Sequence, residues 1–488
     1  MNYGQFIYMF PECALVIALI IVFAFDFAMT KSGEFRGEKP NVTLGRLTYF
    51  MLMSVGLAIF SAMRQEETIT AFGGLYVASQ AVNVMKMVLT FGTLVVVIMA
   101  ESWVETRQRV AGEFYMLIFS TLLGMFMMMS SGNFLLFFLG LEMASVPLAC
   151  MVAFNRDRKE SAEGAAKYIL VATFSSGVML FGISFIYADT GTLYFDDVAS
   201  HLATVNATPS LLSIMGLVFF FSGLGFKISL VPFHFWTADT YQGAPTPVTG
   251  YLSVISKGAA AITLCIILMK VFAPMVEYWD YLLYIVIVLS ITVANLFAIR
   301  QSELKRFMAF SSISQAGYIM LAVVGNDQLG MAALTYYVLV YIVANMAVFT
   351  VINVVEQNSN GRTDMAAYNG FYQTNPKLSF LMTLALFSLA GIPPFAGMFS
   401  KFFVFMAGVQ NGQPMAYFVV FIALVNTVVS LYYYLLIVKA MYITKTDSPL
   451  PTFKSDESTK IALGICTAGI ALFGVVSCIY EWIATAGM

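Results

Sequence analysis

Charge is what this chain has least of. Only 11% of its 488 residues are Asp, Glu, Lys or Arg, against 60% hydrophobic, a balance far outside that of a water-soluble domain. The net charge of −2 supplies none of the basic excess that a nucleic-acid partner needs, so no nucleic-acid contact is expected. Histidine is nearly absent. His201 falls in a polar connection and His234 within an apolar segment, which excludes a haem held by two histidines on facing helices. The cysteines, Cys13, Cys150, Cys265, Cys466 and Cys478, form no CxxC pair and no iron–sulfur spacing, and they read as buried thiols. A nucleotide-binding glycine loop, a zinc constellation and a serine-hydrolase elbow are all missing. No cofactor is therefore expected in this chain.

Long apolar runs take the place of these motifs. Crossing the roughly 30 Å hydrocarbon core of a bilayer takes about 20 mostly apolar residues. Fourteen segments qualify, near 11–29, 45–62, 78–100, 114–130, 133–153, 164–188, 210–239, 247–273, 279–299, 304–325, 328–355, 376–408, 414–440 and 461–484. The first carries Glu12 and Asp26 and has no basic leader or small-residue cleavage site, so it reads as a retained span rather than a signal peptide. The longer polar connections, 30–44, 189–209, 357–375 and 445–460, are too short for a separate domain. The sequence thus predicts an all-α integral membrane protein of about fourteen transmembrane helices, with residues 1–488 forming a single polytopic domain.

Basic residues set the expected orientation. After odd-numbered spans come Lys31, Arg36, Lys39 and Arg46; Arg107 and Arg109; Arg156, Arg158 and Lys159; Arg300, Lys305 and Arg306; Arg362 and Lys377; and Lys439, Lys445, Lys454 and Lys460. Arg64 stands alone after the even-numbered ones. Cytoplasmic loops carry the excess of Lys and Arg, so both termini are expected on the outer side.

Six lysines belong to the spans themselves: Lys86, Lys167, Lys227, Lys257, Lys270 and Lys401. Lys167 and Lys270 sit near span ends, where a long side chain snorkels to the interface. Lys86 is open to either reading. Lys227, Lys257 and Lys401 are too deep for that, and Glu142 is likewise in mid-span, in "FLLFFLGLEMASVPL". Each such charge costs about 2.5–3.5 kcal/mol at the centre of a helix. Intramembrane ionisable groups mark pathways and relays, so these four are the candidate site, with Glu142 the expected partner of Lys227.

Prolines reinforce the choice. Pro232 has no N–H to give the carbonyl of Ile228, and Pro393 and Pro394 likewise free the carbonyls of Leu389 and Ala390. Unwound backbone inside a bilayer is tolerated only where protein buries it or water lines it. Spans seven and twelve are therefore expected to be broken helices, whereas Lys257 reads as central in an unbroken one. The breaks lie five spans apart, as they do if spans 4–8 (114–273) and 9–13 (279–440) are two inverted five-helix repeats. Pro232 and Pro394 join the list as secondary candidates, as does His234, whose aromatic neighbours suit packing and a relay equally well.

One resemblance covers nearly the whole chain. "KISLVPFHFWTADTYQGAPTPVTGYLSVISKGAA", "GLEMASVPL", "EGAAKYILVATFSSGVMLFGISFIYADTG", "LKRFMAFSSISQAGY" and "GIPPFAGMFSKFFVF" resemble, in order, segments of the antiporter-like membrane subunits of proton-pumping NADH:quinone oxidoreductase, respiratory complex I. In this chain Gln242 stands where relatives carry an acid, Gln315 where many have histidine, and Lys401 where a sister subunit has glutamate. The resemblance implies proton translocation through Glu142, Lys227, Lys257 and Lys401. It also implies that flavin and iron–sulfur clusters belong to partner subunits, that quinone binds elsewhere in the complex, and that the neighbours are other membrane-arm subunits in a bacterial plasma membrane. A cation/proton (Na+/H+) antiporter subunit is the alternative, and a spacer without transport is a third reading.

Overall fold

The computed structural model describes residues 3–32, 40–65, 67–106, 110–204, 209–325, 328–410, 412–447, 449–476 and 478–486. Arg36, Lys39, Arg107 and Arg109 of the orientation argument lie outside the described residues.

Helices dominate because apolar runs of this length satisfy their backbone groups only internally. The chain opens with α1 (Phe10–Ser32) and α2 (Pro40–Ala62). A small hairpin of β1 (Ile69–Ala71) and β2 (Tyr76–Ala78) follows, paired antiparallel with Ile69 opposite Ala78. Next come α3 (Gln80–Glu105), α4 (Ala111–Met129), α5 (Phe134–Val152), α6 (Lys159–Thr190), α7 (Phe195–Thr204), α8 (Leu211–Ile228), α9 (Phe235–Gly243), α10 (Thr246–Tyr251) and α11 (Lys257–Lys270). The second half holds α12 (Val276–Ala298), α13 (Leu304–Val324), α14 (Gln328–Asn358), α15 (Phe371–Thr374), α16 (Pro376–Ala390), α17 (Ala396–Val409), α18 (Pro414–Tyr442), α19 (Glu457–Val475) and α20 (Cys478–Ala486). Among the described residues, 13 helices are long and apolar enough to cross a membrane, and α16 and α17 are shorter apolar pieces.

The centre is α13 and α14, whose most apolar windows are 100% buried, while α1 and α6 bury only 28% of theirs and turn the rest outward. Close approach of α4 and α5 rests on two glycines. A Cβ on Gly124 would lie 2.4 Å from the Ala144 nitrogen, and one on Gly140 would lie 2.5 Å from that of Met128, so only hydrogen fits at this small-residue crossing. That contact fixes α5, the helix that carries Glu142.

Both expected breaks are present, and they share one backbone pattern. Helix α8 ends at Ser229, in the left-handed region at φ 66°, and α16 ends at Gly391, at φ 86°. The Leu230 N–H then bonds the Gly225 carbonyl at 2.8 Å, and the Ile392 N–H bonds the Phe387 carbonyl at 3.0 Å, the hydrogen bond that closes a Schellman cap. Phe233 N–H reaches back to the Leu230 carbonyl, and Phe395 N–H to that of Ile392. Pro232 and Pro394 each stand three residues past the left-handed residue (229 + 3 and 391 + 3).

Three expectations need correction. The span through Lys257 is not regular, because Leu252–Ser256 forms a π-helical turn between α10 and α11. The last expected span, 461–484, stops at Val475, and Val476 leaves helical geometry (φ −95°, ψ 89°). There Gly474 is pressed on the second break, with room for no Cβ beside the Pro394 carbonyl, 2.7 Å away, so the helix end is docked rather than continued. Of the five cysteines, Cys265 and Cys466 are buried as expected, whereas Cys150 and Cys478 are exposed.

Candidate functional site

Lys227 occupies the last turn of α8, just before the first break, and is 3% exposed. Its Nζ donates to Ser145 Oγ at 2.8 Å and to Tyr168 OH at 3.2 Å, and it lies 5.9 Å from the Tyr168 ring centroid, within cation–π range. Glu142 is not its direct partner. That carboxylate is half-buried and accepts a 2.5 Å hydrogen bond from Ser176 Oγ on α6, and no ion pair joins it to Lys227 among the described residues. The reason is helical spacing: Ser145, one turn on from Glu142 along α5, takes the ammonium, while the carboxylate is drawn to α6.

Lys257 follows directly on the π-helical turn and is 2% exposed. A π turn inserts a residue into the helix and re-aims the side chains around it. Lys257 Nζ donates to Ser312 Oγ at 2.6 Å, and that hydroxyl also lies 3.2 Å from Tyr241 OH. The ammonium stands 5.4 Å from the Tyr241 ring centroid. Helices α9, α11 and α13 thus meet at one serine.

Lys401 is 4% exposed, on α17. The carbonyls that Pro393 and Pro394 release find their donors here. Lys401 Nζ donates to Ala390 O at 3.0 Å, and Gln315 Nε2 donates to Leu389 O at 3.2 Å. Gln315 also donates to Tyr434 OH and accepts from Tyr337 OH. A cavity of about 10 Å³ lies between Lys401, Gln315, Tyr337 and Ser400, close to the smallest space that holds one water. His234 lies in the first break, 8% exposed, its ring stacked on Phe235 with centroids 4.6 Å apart; no hydrogen bond links it to Lys227 or Lys257 among the described residues.

Three further charge clusters escaped the sequence reading. Lys86 is buried in an ion pair with Glu12 at 2.6 Å, the two side chains being 0% and 1% exposed, and Tyr76 OH bonds both at 2.9 and 3.2 Å. Asp239 binds Lys167 at 2.6 Å and Arg306 at 2.5 Å. It stands ten residues past Ser229 (239 − 229), as Lys401 stands ten past Gly391 (401 − 391), so the first break carries an acid where the second carries a lysine. Glu356 accepts from Arg158 at 2.8 Å and from Thr246, with the buried Lys305 at 3.7 Å. Matching opposite charges between apolar segments was the available signal, and Glu12 with Lys86 displays it plainly. Lys270 is the last residue of α11, as expected of a span end, and pairs with Asp196 at 2.9 Å, whereas half-exposed Lys167 is the ninth residue of α6, more than two turns inside it, and is held by Glu163 as well as Asp239.

Buried lysines on hydroxyls and a carbonyl, set at two backbone breaks and a π turn in a multi-pass helical body, define an antiporter-type membrane subunit. Residues 131–430 match the family described as NADH:quinone oxidoreductase/Mrp antiporter, TM. NADH-quinone oxidoreductase subunit N of Phocaeicola vulgatus is 53% identical over 484 residues, covering 99% of this chain and 98% of that protein. Subunit N of Azobacteroides pseudotrichonymphae is 46% identical, covering 99% and 98%. The chain belongs to the NADH-quinone oxidoreductase subunit N family. Among solved structures, respiratory complex I from Thermus thermophilus with bound aureothin contains a chain that is 29% identical, at TM-score 0.76, covering 95% of this chain and 98% of that one. The Mrp complex of a Dietzia species contains one 18% identical at TM-score 0.84, covering 100% and 97%, which is a likeness of fold alone.

Proposed function

We propose that this chain is a proton-translocating membrane-arm subunit of an NADH:quinone oxidoreductase, and that Glu142, Lys227, Lys257 and Lys401 carry protons across it. Flavin, iron–sulfur clusters and quinone reduction belong to partner subunits in this reading, and the chain is the non-redox part of a translocase. The observation that carries it is the state of the three lysines: each is under 5% exposed, and none has a carboxylate within ion-pair distance among the described residues. A buried cation without a counter-ion is costly for packing alone, yet suits a group that must take up and release a proton.

The shared backbone pattern of the two breaks supports a repeat of 114–273 and 279–440 in inverted orientation, with α16 and α17 together making one crossing and fourteen crossings in all. Its bacterial relatives support a plasma membrane setting, and the distribution of basic residues supports both termini outside. Protons pass from Lys227 through Lys257 to Lys401, which delivers them outward.

The test is Lys227→Ala in the assembled complex, reconstituted in proteoliposomes. Proton pumping per NADH oxidised is expected to fall sharply with assembly intact. Normal pumping by a fully assembled variant removes Lys227 from the mechanism. Co-purification separates the alternative: NADH dehydrogenase activity accompanying the chain supports the complex, while a solitary chain exchanging Na+ for H+ supports the antiporter.

A further inference from the structure

A groove of about 760 Å³ opens between α16 and α19, away from the lysine axis. Its mouth is basic, lined by Lys377, Lys454 and Lys460, all exposed and none in an ion pair among the described residues. The nearby acid Asp456 lines the adjoining cavity with Glu356, and Lys454 borders both that cavity and the groove. Below the mouth the lining turns apolar, through Leu378, Leu381, Leu463 and Ala468. Gly464 forms part of the floor, and a Cβ there meets nothing within 4 Å, so the groove runs along the helix surface as open space.

The rim is held in shape. Asn375 Nδ2 donates to the Pro451 carbonyl at 2.9 Å, its Oδ1 accepts from Phe453 N–H at 2.8 Å, and Thr452 Oγ1 donates to the Thr374 carbonyl at 3.2 Å. These bonds strap the segment before α19 to the start of α16 and place Lys454 opposite Lys377. An apolar trench between two membrane helices, capped at one end by three unpaired cations, is complementary to a molecule with acyl chains and a multiply charged phosphate head. Free phosphate matches the lysines but leaves the trench uncovered.

We propose that this groove binds an anionic phospholipid, its phosphates on Lys377, Lys454 and Lys460 and its acyl chains along Gly464 and Ala468. The site is independent of the proton axis.

Native mass spectrometry of the intact complex, delipidated and then exchanged into nanodiscs, tests it. The discs contain phosphatidylcholine alone or with a lipid bearing two phosphates, and a third arm adds inorganic phosphate to phosphatidylcholine discs. Wild type is expected to retain one additional two-phosphate lipid on this subunit. Each lysine near a membrane surface contributes about fivefold, so Lys377→Gln/Lys454→Gln/Lys460→Gln should lower retention on the order of a hundredfold, and the triple arginine variant should keep it. Gly464→Phe fills the trench without touching the lysines and should lose the lipid as well. Equal retention by wild type and the triple glutamine variant overturns the site. Retention by Gly464→Phe overturns the placement of the acyl chains in the trench, and hydrogen-exchange protection of residues 374–378 and 451–460 by inorganic phosphate as strong as by the lipid overturns the lipid in favour of a simple anion.

Discussion

Replacing Lys86 by methionine leaves Glu12 as a buried carboxylate whose remaining close partner is Tyr76 OH, at 2.9 Å. Breaking a buried ion pair from one side costs about 3–5 kcal/mol, because the surviving charge is uncompensated. Glu12→Gln should cost a similar amount by stranding the ammonium, which is 0% exposed. The double variant Lys86→Met/Glu12→Gln has no stranded charge and nearly the original volume, so it should be more stable than either single variant, a coupling of several kcal/mol. Tyr76→Phe removes a hydrogen bond to a charged group, worth about 1.5–3 kcal/mol. The readout is unfolding in mixed micelles against SDS mole fraction, followed by fluorescence of the four tryptophans. If the double variant is as unstable as the sum of the singles, Glu12 and Lys86 do not act as a unit, and the reasoning from their contact fails.

Further outcomes follow from the site. Ser145→Ala deletes the closer acceptor of Lys227 and should lower pumping in proteoliposomes while the complex still assembles; unchanged pumping would show that Tyr168 alone seats the lysine. Glu142→Asp keeps the charge but withdraws it from Ser176 by one methylene, so its pumping should fall between wild type and Glu142→Gln, and a result below glutamine would make reach, not charge, the decisive property. Lys401→Glu should retain partial pumping, since a carboxyl group still carries a proton, whereas Lys401→Met should lose it; equal pumping by the two would show that no titratable group is required there. Gly397→Ala places a Cβ 1.7 Å from the Ser388 carbonyl, a backbone clash that should cost at least about 1–3 kcal/mol and reduce assembled complex on native gels, whereas Gly464→Ala should leave it unchanged.

Much of this was legible because a membrane imposes long-range rules on local sequence. Apolar length located nearly every span, and the missing N–H of Pro232 and Pro394 located both breaks, since one residue suffices to interrupt a helix. Burial of Lys227, Lys257 and Lys401 followed from their distance to the span ends. Other features depend on which helices touch. Lys86 finds Glu12 across 74 residues, and Glu142 turns to Ser176 because α6 packs beside α5. Neither neighbour is encoded near the residue it holds. The π turn before Lys257 has no composition of its own, and the hairpin at 69–78 is too short for its alternation to stand out. The end of α19 at Val475 falls where Gly474 meets the second break, a contact between segments distant in sequence.

The partners of the three deep lysines bear on what happens when a proton departs. Ser145, Tyr168 and Ser312 are hydroxyls, able to accept from an ammonium or, after rotating, to donate to the lone pair of an amine. The Ala390 carbonyl beside Lys401 only accepts, but an amine retains two N–H bonds and so keeps that hydrogen bond too. A fixed carboxylate would instead favour the charged form and resist its discharge. Each lysine therefore keeps a hydrogen-bond partner whether charged or neutral, and in the proposed relay a proton passes by turning a hydroxyl rather than by moving a helix.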